Sequence, residues 1–228
     1  MERTAIISGV SRGIGKAIAV KFLSEGIKVA GIGLNDPQWN YPDFKFIRAD
    51  VREQQQVEEA FNIALDFLGD KLDVLVNNAG LGYFKPVEDL SSEEFIEMFE
   101  VNVFGTFYLT RLAVPIMKKQ GKGHIIFLGS VAALNGIAEG TGYCATKFAV
   151  RGFALSLFKE VRQFGIHVTL IHPGSVKTDF FRNFPSVEVG DWMLKPEQVA
   201  RSVFHAIQCE ENCNVLELEL RPLILPSK

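Results

Sequence analysis

Residues 4–15 read Thr4-Ala5-Ile6-Ile7-Ser8-Gly9-Val10-Ser11-Arg12-Gly13-Ile14-Gly15. The first five form a short run with β-branched residues at its centre, which suits a buried strand. Glycines then stand at positions 9, 13 and 15, and a helical pattern of apolar residues runs from 14 to 24. A turn without side chains lets the backbone approach an anion closely. The helix that opens there points its first N–H groups and the positive end of its dipole at the same place. Strand, glycine turn and helix in direct succession therefore predict a phosphate-binding βα unit. Such turns also serve as plain connectors, so the reading depends on what the rest of the chain adds.

Outward from this unit, short apolar runs alternate with longer helical patterns. Strands are expected at 29–32, 44–47, 74–76, 124–128, 168–171 and 214–220, and helices at 56–67, 93–119, 143–164 and 196–208. In the first of these helices Val57, Ala60, Phe61, Ala64 and Leu65 share one face. Alternation of this kind predicts an α/β fold: a doubly wound parallel sheet with helices on both faces, its ligands at the carboxyl ends of the strands. Residues 34–43 (LNDPQWNYPD) interrupt the pattern. Two prolines and two aromatics leave little room for a helix, and a loop packed through Trp39 and Tyr41 is expected instead. No repeat or linker divides residues 1–228, so one domain is expected.

The 228 residues carry a formal net charge of −3. Nucleic-acid binding needs a surplus of Lys and Arg, and the sequence has none. Cys144, Cys209 and Cys213 are the only cysteines. An odd count without framework spacing suggests reduced thiols in a cytoplasmic protein. Cys209 and Cys213 lack a nearby His or Cys to complete a metal site, and Cys144 reads as a packed small side chain. His124, His167, His172 and His205 show no metal-ligand spacing and read as structural. No leader segment is expected, and no apolar run reaches the ~20 residues a membrane span needs. No metal and no membrane association is expected.

The glycine spacing is G-x-x-x-G-x-G rather than the general G-x-G-x-x-G. It resembles the T-G-x-x-x-G-x-G loop of the short-chain dehydrogenase/reductase family, with Ser8 in the place of Thr. Further matches follow in that family's order: Asp50-Val51, Asn77-Asn78-Ala79-Gly80, Asn102 in VNVFG, Ser130, Tyr143-x-x-x-Lys147, and Pro173-Gly174-Ser175-Val176-Lys177-Thr178. Together they cover nearly the whole chain, most like members that reduce 3-oxoacyl groups. The resemblance implies a single three-layer Rossmann domain with a short substrate lid near 178–196. It implies a catalytic set of Asn102, Ser130, Tyr143 and Lys147. It also implies that a nicotinamide cofactor is held by Gly9, Ser11, Arg12, Gly13, Ile14 and Gly15, then by Asp50, Val51, Asn77, Ala79 and Gly80, and by Tyr143, Lys147, Pro173, Gly174, Val176 and Thr178. Asp50 would bond the adenine amine, and Asn102 would hold a water linking Lys147 to solvent.

The residue types suit that chemistry. Tyr143 and Lys147 are four apart and share a helical face. A free phenol titrates at about 10, too high for an efficient base near neutrality, and an adjacent ammonium is expected to lower it. Ser130 can steady the charge on a substrate oxygen as hydride moves. The second strand ends Gly33-Leu34-Asn35 with no acid to bind a 2′-hydroxyl, and Asp36 lies past the usual place. Arg12 resembles the base with which some members pair a 2′-phosphate. NADP(H) is therefore expected in preference to NAD(H). Phe180, Phe181, Phe184, Trp192 and Met193 make the lid apolar, with 81–84 and 132–137 as the other walls, so an apolar carbonyl or alcohol substrate is expected. Phe99, Val103, Phe107, Phe148, Phe153 and Phe158 make two helices apolar on more than one side. They predict a homodimer or homotetramer. A non-catalytic cofactor sensor is the alternative, but such relatives commonly lose the Tyr, Lys or Ser. A sugar-nucleotide epimerase would need a larger C-terminal domain.

Overall fold

β1 (Arg3–Ser8) buries every side chain after its first, because it has neighbours on both edges and helices on both faces. It pairs in parallel with β2 (Ile27–Gly33) on one side and β4 (Val74–Asn77) on the other. β3 (Phe44–Arg48) lies beyond β2, and β5 (Gly123–Leu128), β6 (Ile166–Pro173) and β7 (Glu217–Leu220) lie beyond β4. The order β3-β2-β1-β4-β5-β6-β7 is parallel throughout. The chain winds out one way from β1, returns, and winds out the other way. The crevice where the winding reverses lies beyond the carboxyl ends of β1 and β4. This computed structural model describes residues 3–180, 189–210 and 212–224.

Among the described residues, five helices cover the sheet and a sixth packs against one of them. Strand alternation sends Ile6 to one face and Ile7 to the other. Ile6 meets α2 (Gln54–Leu68), α4 (Gly105–Gln120) and α5 (Thr141–Val161) in a core with Phe61, Leu109, Met117 and Leu157. Ile7 meets α1 (Gly13–Ser24) and α6 (Pro196–Ala206) in a second core with Ile18, Phe22, Val199 and Val203. α3 (Ser92–Phe99) starts at a capping box in which Ser91 and Glu94 exchange hydrogen bonds. The doubly wound three-layer fold is as the sequence predicts.

Three details differ. The single helix expected at 93–119 is α3 and α4 joined by a π-turn, Glu100–Phe104. Its extra residue rotates the helix face and buries Asn102, which a regular helix would not do at the same angle. The last strand begins at Glu217 rather than 214, because the Asn214 side chain takes over the pairing. It accepts from Val168 N and donates to Val168 O. The 34–43 loop is fastened through Trp39, packed 4.9 Å from Phe44, while Tyr41 remains 46% exposed.

Candidate active site

A cleft of about 630 Å³ runs along the carboxyl ends of the strands from the glycine turn to Tyr143. At one end Gly9 adopts φ +72°, in the left-handed region that favours glycine. A Cβ on Gly15 would stand 2.2 Å from the Gly9 carbonyl oxygen, so the helix can start this close to the turn only without one. Ser8 does what the Thr of the related motif is expected to do. Its Oγ accepts from the Asn78 and Ala79 amides, both at 3.0 Å. Asn78 Nδ2 in return donates to the carbonyls of Ser8 (2.9 Å) and Gly9 (3.1 Å). The ends of β1 and β4 are thereby clasped together. Asn78 was not among the predicted binding residues, although it lies within the quoted Asn77–Gly80 motif.

Gly9, Ser11, Arg12, Gly13, Ile14 and Gly15 all line the cleft, as do Asp50, Val51, Ala79 and Gly80. Pro173, Gly174, Val176 and Thr178 form the opposite lip, and Ser130, Tyr143 and Lys147 the far end. Asn77 does not line it. Its buried side chain donates to Thr110 Oγ1 on α4 at 3.0 Å, because alternate strand residues face opposite sides of the sheet. Asp50 lines the cleft but is already engaged. The Arg52 guanidinium donates to both of its oxygens and holds its carboxyl below the usual range. Arg52 also reaches Glu97 (2.9 Å), which accepts from the Tyr83 hydroxyl (2.6 Å). That bond pushes the Tyr83 phenol up to about 12. Arg52 was missed because no motif marks it.

Asn102 stands behind the cleft wall. Its Nδ2 donates to Leu81 O (2.8 Å) and Thr146 Oγ1 (2.9 Å), and its Oδ1 accepts from Leu81 N (2.8 Å). The side chain thus clamps the strand-four loop to α5. It is close to Lys147: a Cβ on Gly80 would lie 3.5 Å from Asn102 Oδ1 and 3.8 Å from Lys147 Nζ.

Tyr143 and Lys147 share the buried face of α5. Lys147 Nζ donates to the Leu128 carbonyl at 2.8 Å and lies 5.6 Å from the Tyr143 ring centre. Burial pulls the Lys147 ammonium down to about 8. Burial also pushes the Tyr143 phenol up, and a hydrogen bond with Ser130 only partly offsets this. Burial thus acts against the lowering expected from Lys147, and the group that offsets it is Ser130. Ser130 Oγ accepts from Ala132 N (3.1 Å), which fixes its direction.

The Tyr143 ring packs 5.1 Å from Phe84 and 5.4 Å from Phe180, giving the far end apolar walls. Leu81, Val131 and Ile137 also line it. Phe181 and Phe184 lie outside the described residues. Beyond that segment, Met193 is buried and Leu194 pairs with Val176, anchoring the chain to the cleft's lip. Cys144 is packed under this cluster. Among the described residues there is no group of three His, Cys, Asp or Glu able to hold a metal ion. None of their helices is long and apolar enough to cross a membrane.

A family model described as short chain dehydrogenase matches residues 3–188. An uncharacterised oxidoreductase of Staphylococcus aureus is 31% identical over 229 residues, spanning 97% of this chain and 98% of the relative. An alcohol dehydrogenase from the archaeon Thermococcus sibiricus, complexed with 5-hydroxy-NADP, superposes with a TM-score of 0.88 at 29% identity over 100% of both chains. The 3-ketoacyl-(acyl-carrier-protein) reductase of Brucella melitensis, complexed with NADH, gives 0.89 at 26% identity over 96% of both. The chain belongs to the short-chain dehydrogenase family and is an oxidoreductase.

Proposed function

We propose that the protein interconverts a carbonyl compound and an alcohol by hydride exchange with a nicotinamide cofactor, Tyr143 moving the proton. One observation carries this reading. Tyr143, Ser130 and Lys147 converge at the far end of the same cleft whose near end is the glycine turn. The residues present fit the cofactor. Glycine 15 leaves a cradle that a Cβ would close, and the α1 N-terminus opens onto it with Arg12 at the cap. A bound nicotinamide would supply hydride in the reductive direction and, when oxidised, place a positive charge beside the site.

The side chains supply the rest. Ser130 Oγ holds the substrate oxygen beside the Tyr143 hydroxyl. The raised phenol stays protonated at neutral pH, so it can donate to the alkoxide as it forms. Lys147, titrating at about 8, is the nearest cationic group to help the phenol lose its proton in the reverse direction. Asn102 keeps the loop at Leu81 and Gly80 against Lys147. The apolar wall of Phe84, Phe180, Leu81 and Ile137 favours an apolar carbonyl substrate, 3-oxoacyl thioesters among them. The test is a screen of ketones, acyl thioesters and quinones for NADPH or NADH consumption. Turnover of none of them would contradict the reading.

NADP(H) is the preferred cofactor in this reading. The cleft wall at Gly33, Leu34 and Asn35 offers no carboxylate. Asp36, the nearest acid, accepts from the Gln38 amide (2.7 Å) within its own loop. Arg12 stands at the cleft's edge, 3.8 Å from Asp179, and a 2′-phosphate is a stronger partner than that exposed contact. We expect Arg12→Ala to raise the KM for NADPH about tenfold, the loss of one charge-assisted contact, and to leave that for NADH unchanged. Equal effects on both cofactors, or a wild type faster with NADH, would refute the preference.

A homodimer or homotetramer is also part of this proposal. Phe104, Phe107 and Phe148 on the π-turn, α4 and α5 are 46%, 42% and 45% exposed, and large exposed aromatics on these helices favour a cover. Light scattering should give at least twice the chain mass; a monomer mass would refute this.

A further inference from the structure

The four histidines carry no ligand spacing, and His124 behaves as core. His124 bonds Thr169 Oγ1 at 2.8 Å and stacks on His167 at 5.3 Å; burial pulls His124 down to about 3. His172 is different. It sits on β6, 1% exposed, one residue past the last pairing with β5 at Leu128 and Ile171. Its Nδ1 lies 3.1 Å from the carbonyl oxygen of Ser130, and its Nε2 lies 3.1 Å from Glu217 Oε1 on β7. The Glu217 carboxylate is itself gripped by Arg151, whose Nε and Nη2 reach its two oxygens. Arg151 is four residues beyond Lys147 on α5 and so shares its helical face.

We infer that His172 is a positioning residue for the reaction: it holds the Ser130 peptide so that Ser130 Oγ faces the Tyr143 hydroxyl, and the Glu217–Arg151 pair holds His172. The assignment rests on the functional reading above. Both partners of the ring, a peptide carbonyl and a carboxylate, only accept. The contact with the Ser130 carbonyl therefore places a hydrogen on Nδ1. Arg151 keeps the Glu217 carboxyl below its usual range and holds it in place against the ring. The neighbouring residue is matched to the ring: a Cβ on Gly129 would stand 2.6 Å from His172 Nδ1. The result is one connected path from α5, which carries Tyr143 and Lys147, through Arg151, Glu217 and His172 to Ser130. It ties the two halves of the proton-handling site to each other from below.

Two substitutions separate positioning from mere packing. The amide nitrogen of Asn is two bonds from Cβ, like Nδ1; that of Gln is three bonds away, like Nε2. His172→Asn can therefore still donate to Ser130, whereas His172→Gln can still donate only to Glu217. With the best carbonyl compound of the screen, we expect His172→Gln to lose about 100-fold in kcat with little change in the KM for NADPH, the scale of a reacting group displaced by about 1 Å. His172→Asn should keep kcat within about tenfold of wild type. Equal losses in two variants that melt like wild type, or the reverse order, would overturn the assignment. The wild-type protein gives a second measurement that needs neither variant nor substrate. A long-range ¹H–¹⁵N spectrum at neutral pH should show hydrogen on His172 Nδ1, and a bare Nδ1 would overturn the contact with Ser130. If the wild type turns over no carbonyl compound, the functional reading fails, and the spectrum still decides whether His172 holds Ser130.

Discussion

Tyr143→Phe is expected to lower kcat by about 100- to 10,000-fold, the range that general acid–base groups supply. The substitution removes one oxygen and leaves the ring, so the contacts with Phe84 at 5.1 Å and Phe180 at 5.4 Å persist. The residue lies in an apolar cluster with Met98 and Ala132, where loss of a hydroxyl opens no cavity of consequence. The glycine turn is at the opposite end of the cleft, so cofactor affinity should be unchanged. Steady-state kinetics together with a fluorescence titration of NADPH would check both halves. A variant with wild-type kcat would contradict the mechanism, and one that fails to bind NADPH would show that its loss of activity has another cause.

Gly15→Ala should have the second largest effect, on stability and cofactor binding at once. The added Cβ would stand 2.2 Å from Gly9 O and 2.3 Å from Asn78 Nδ2. Neither neighbour is a free side-chain end. Gly9 is held at φ +72°, and Asn78 Nδ2 is bonded to two carbonyls that would lose their donor if it moved. Overpacking of this kind costs about 1–3 kcal/mol. In a chain of this size each kcal/mol lowers the melting temperature by about 2–4 °C. The same strain in the cofactor cradle weakens binding by about 10- to 100-fold. Thermal melts with and without NADPH read both effects. A variant stabilised by NADPH as much as wild type would show that the turn tolerates the methyl group.

How much of this was legible in the sequence depended on what each residue's role rests on. The βα unit at 4–24 was legible because a buried strand, a side-chain-free turn and a helix each leave a local pattern. The crevice followed from alternation, since any doubly wound sheet binds at its switch point. Tyr143, Lys147 and Ser130 were legible through spacing and resemblance, and they do converge in the structure. Asn77 and Asn78 were not distinguishable, because neighbouring strand residues point to opposite faces and a motif does not say which end of the strand has been passed. Asn102 was singled out but its surroundings were not: it is buried within a π-turn, which leaves no periodic signature in a stretch apolar on several sides. Arg52 and His172 act through tertiary contacts alone, the first with Glu97 across 45 residues and the second with Ser130 across 42. The titration of Tyr143 depends on packing for a related reason. Spacing placed Lys147 beside it, but only the packed structure shows how deeply both are buried.

The central claim is that hydride passes directly between nicotinamide and a carbonyl carbon held at Tyr143 and Ser130. It is tested most directly with NADPH carrying deuterium at the transferable position of the nicotinamide ring, incubated with the best carbonyl compound of the screen. The account predicts one deuterium on the carbinol carbon of each product molecule, read by NMR or mass spectrometry. Product formed with hydrogen from solvent at that carbon would contradict it.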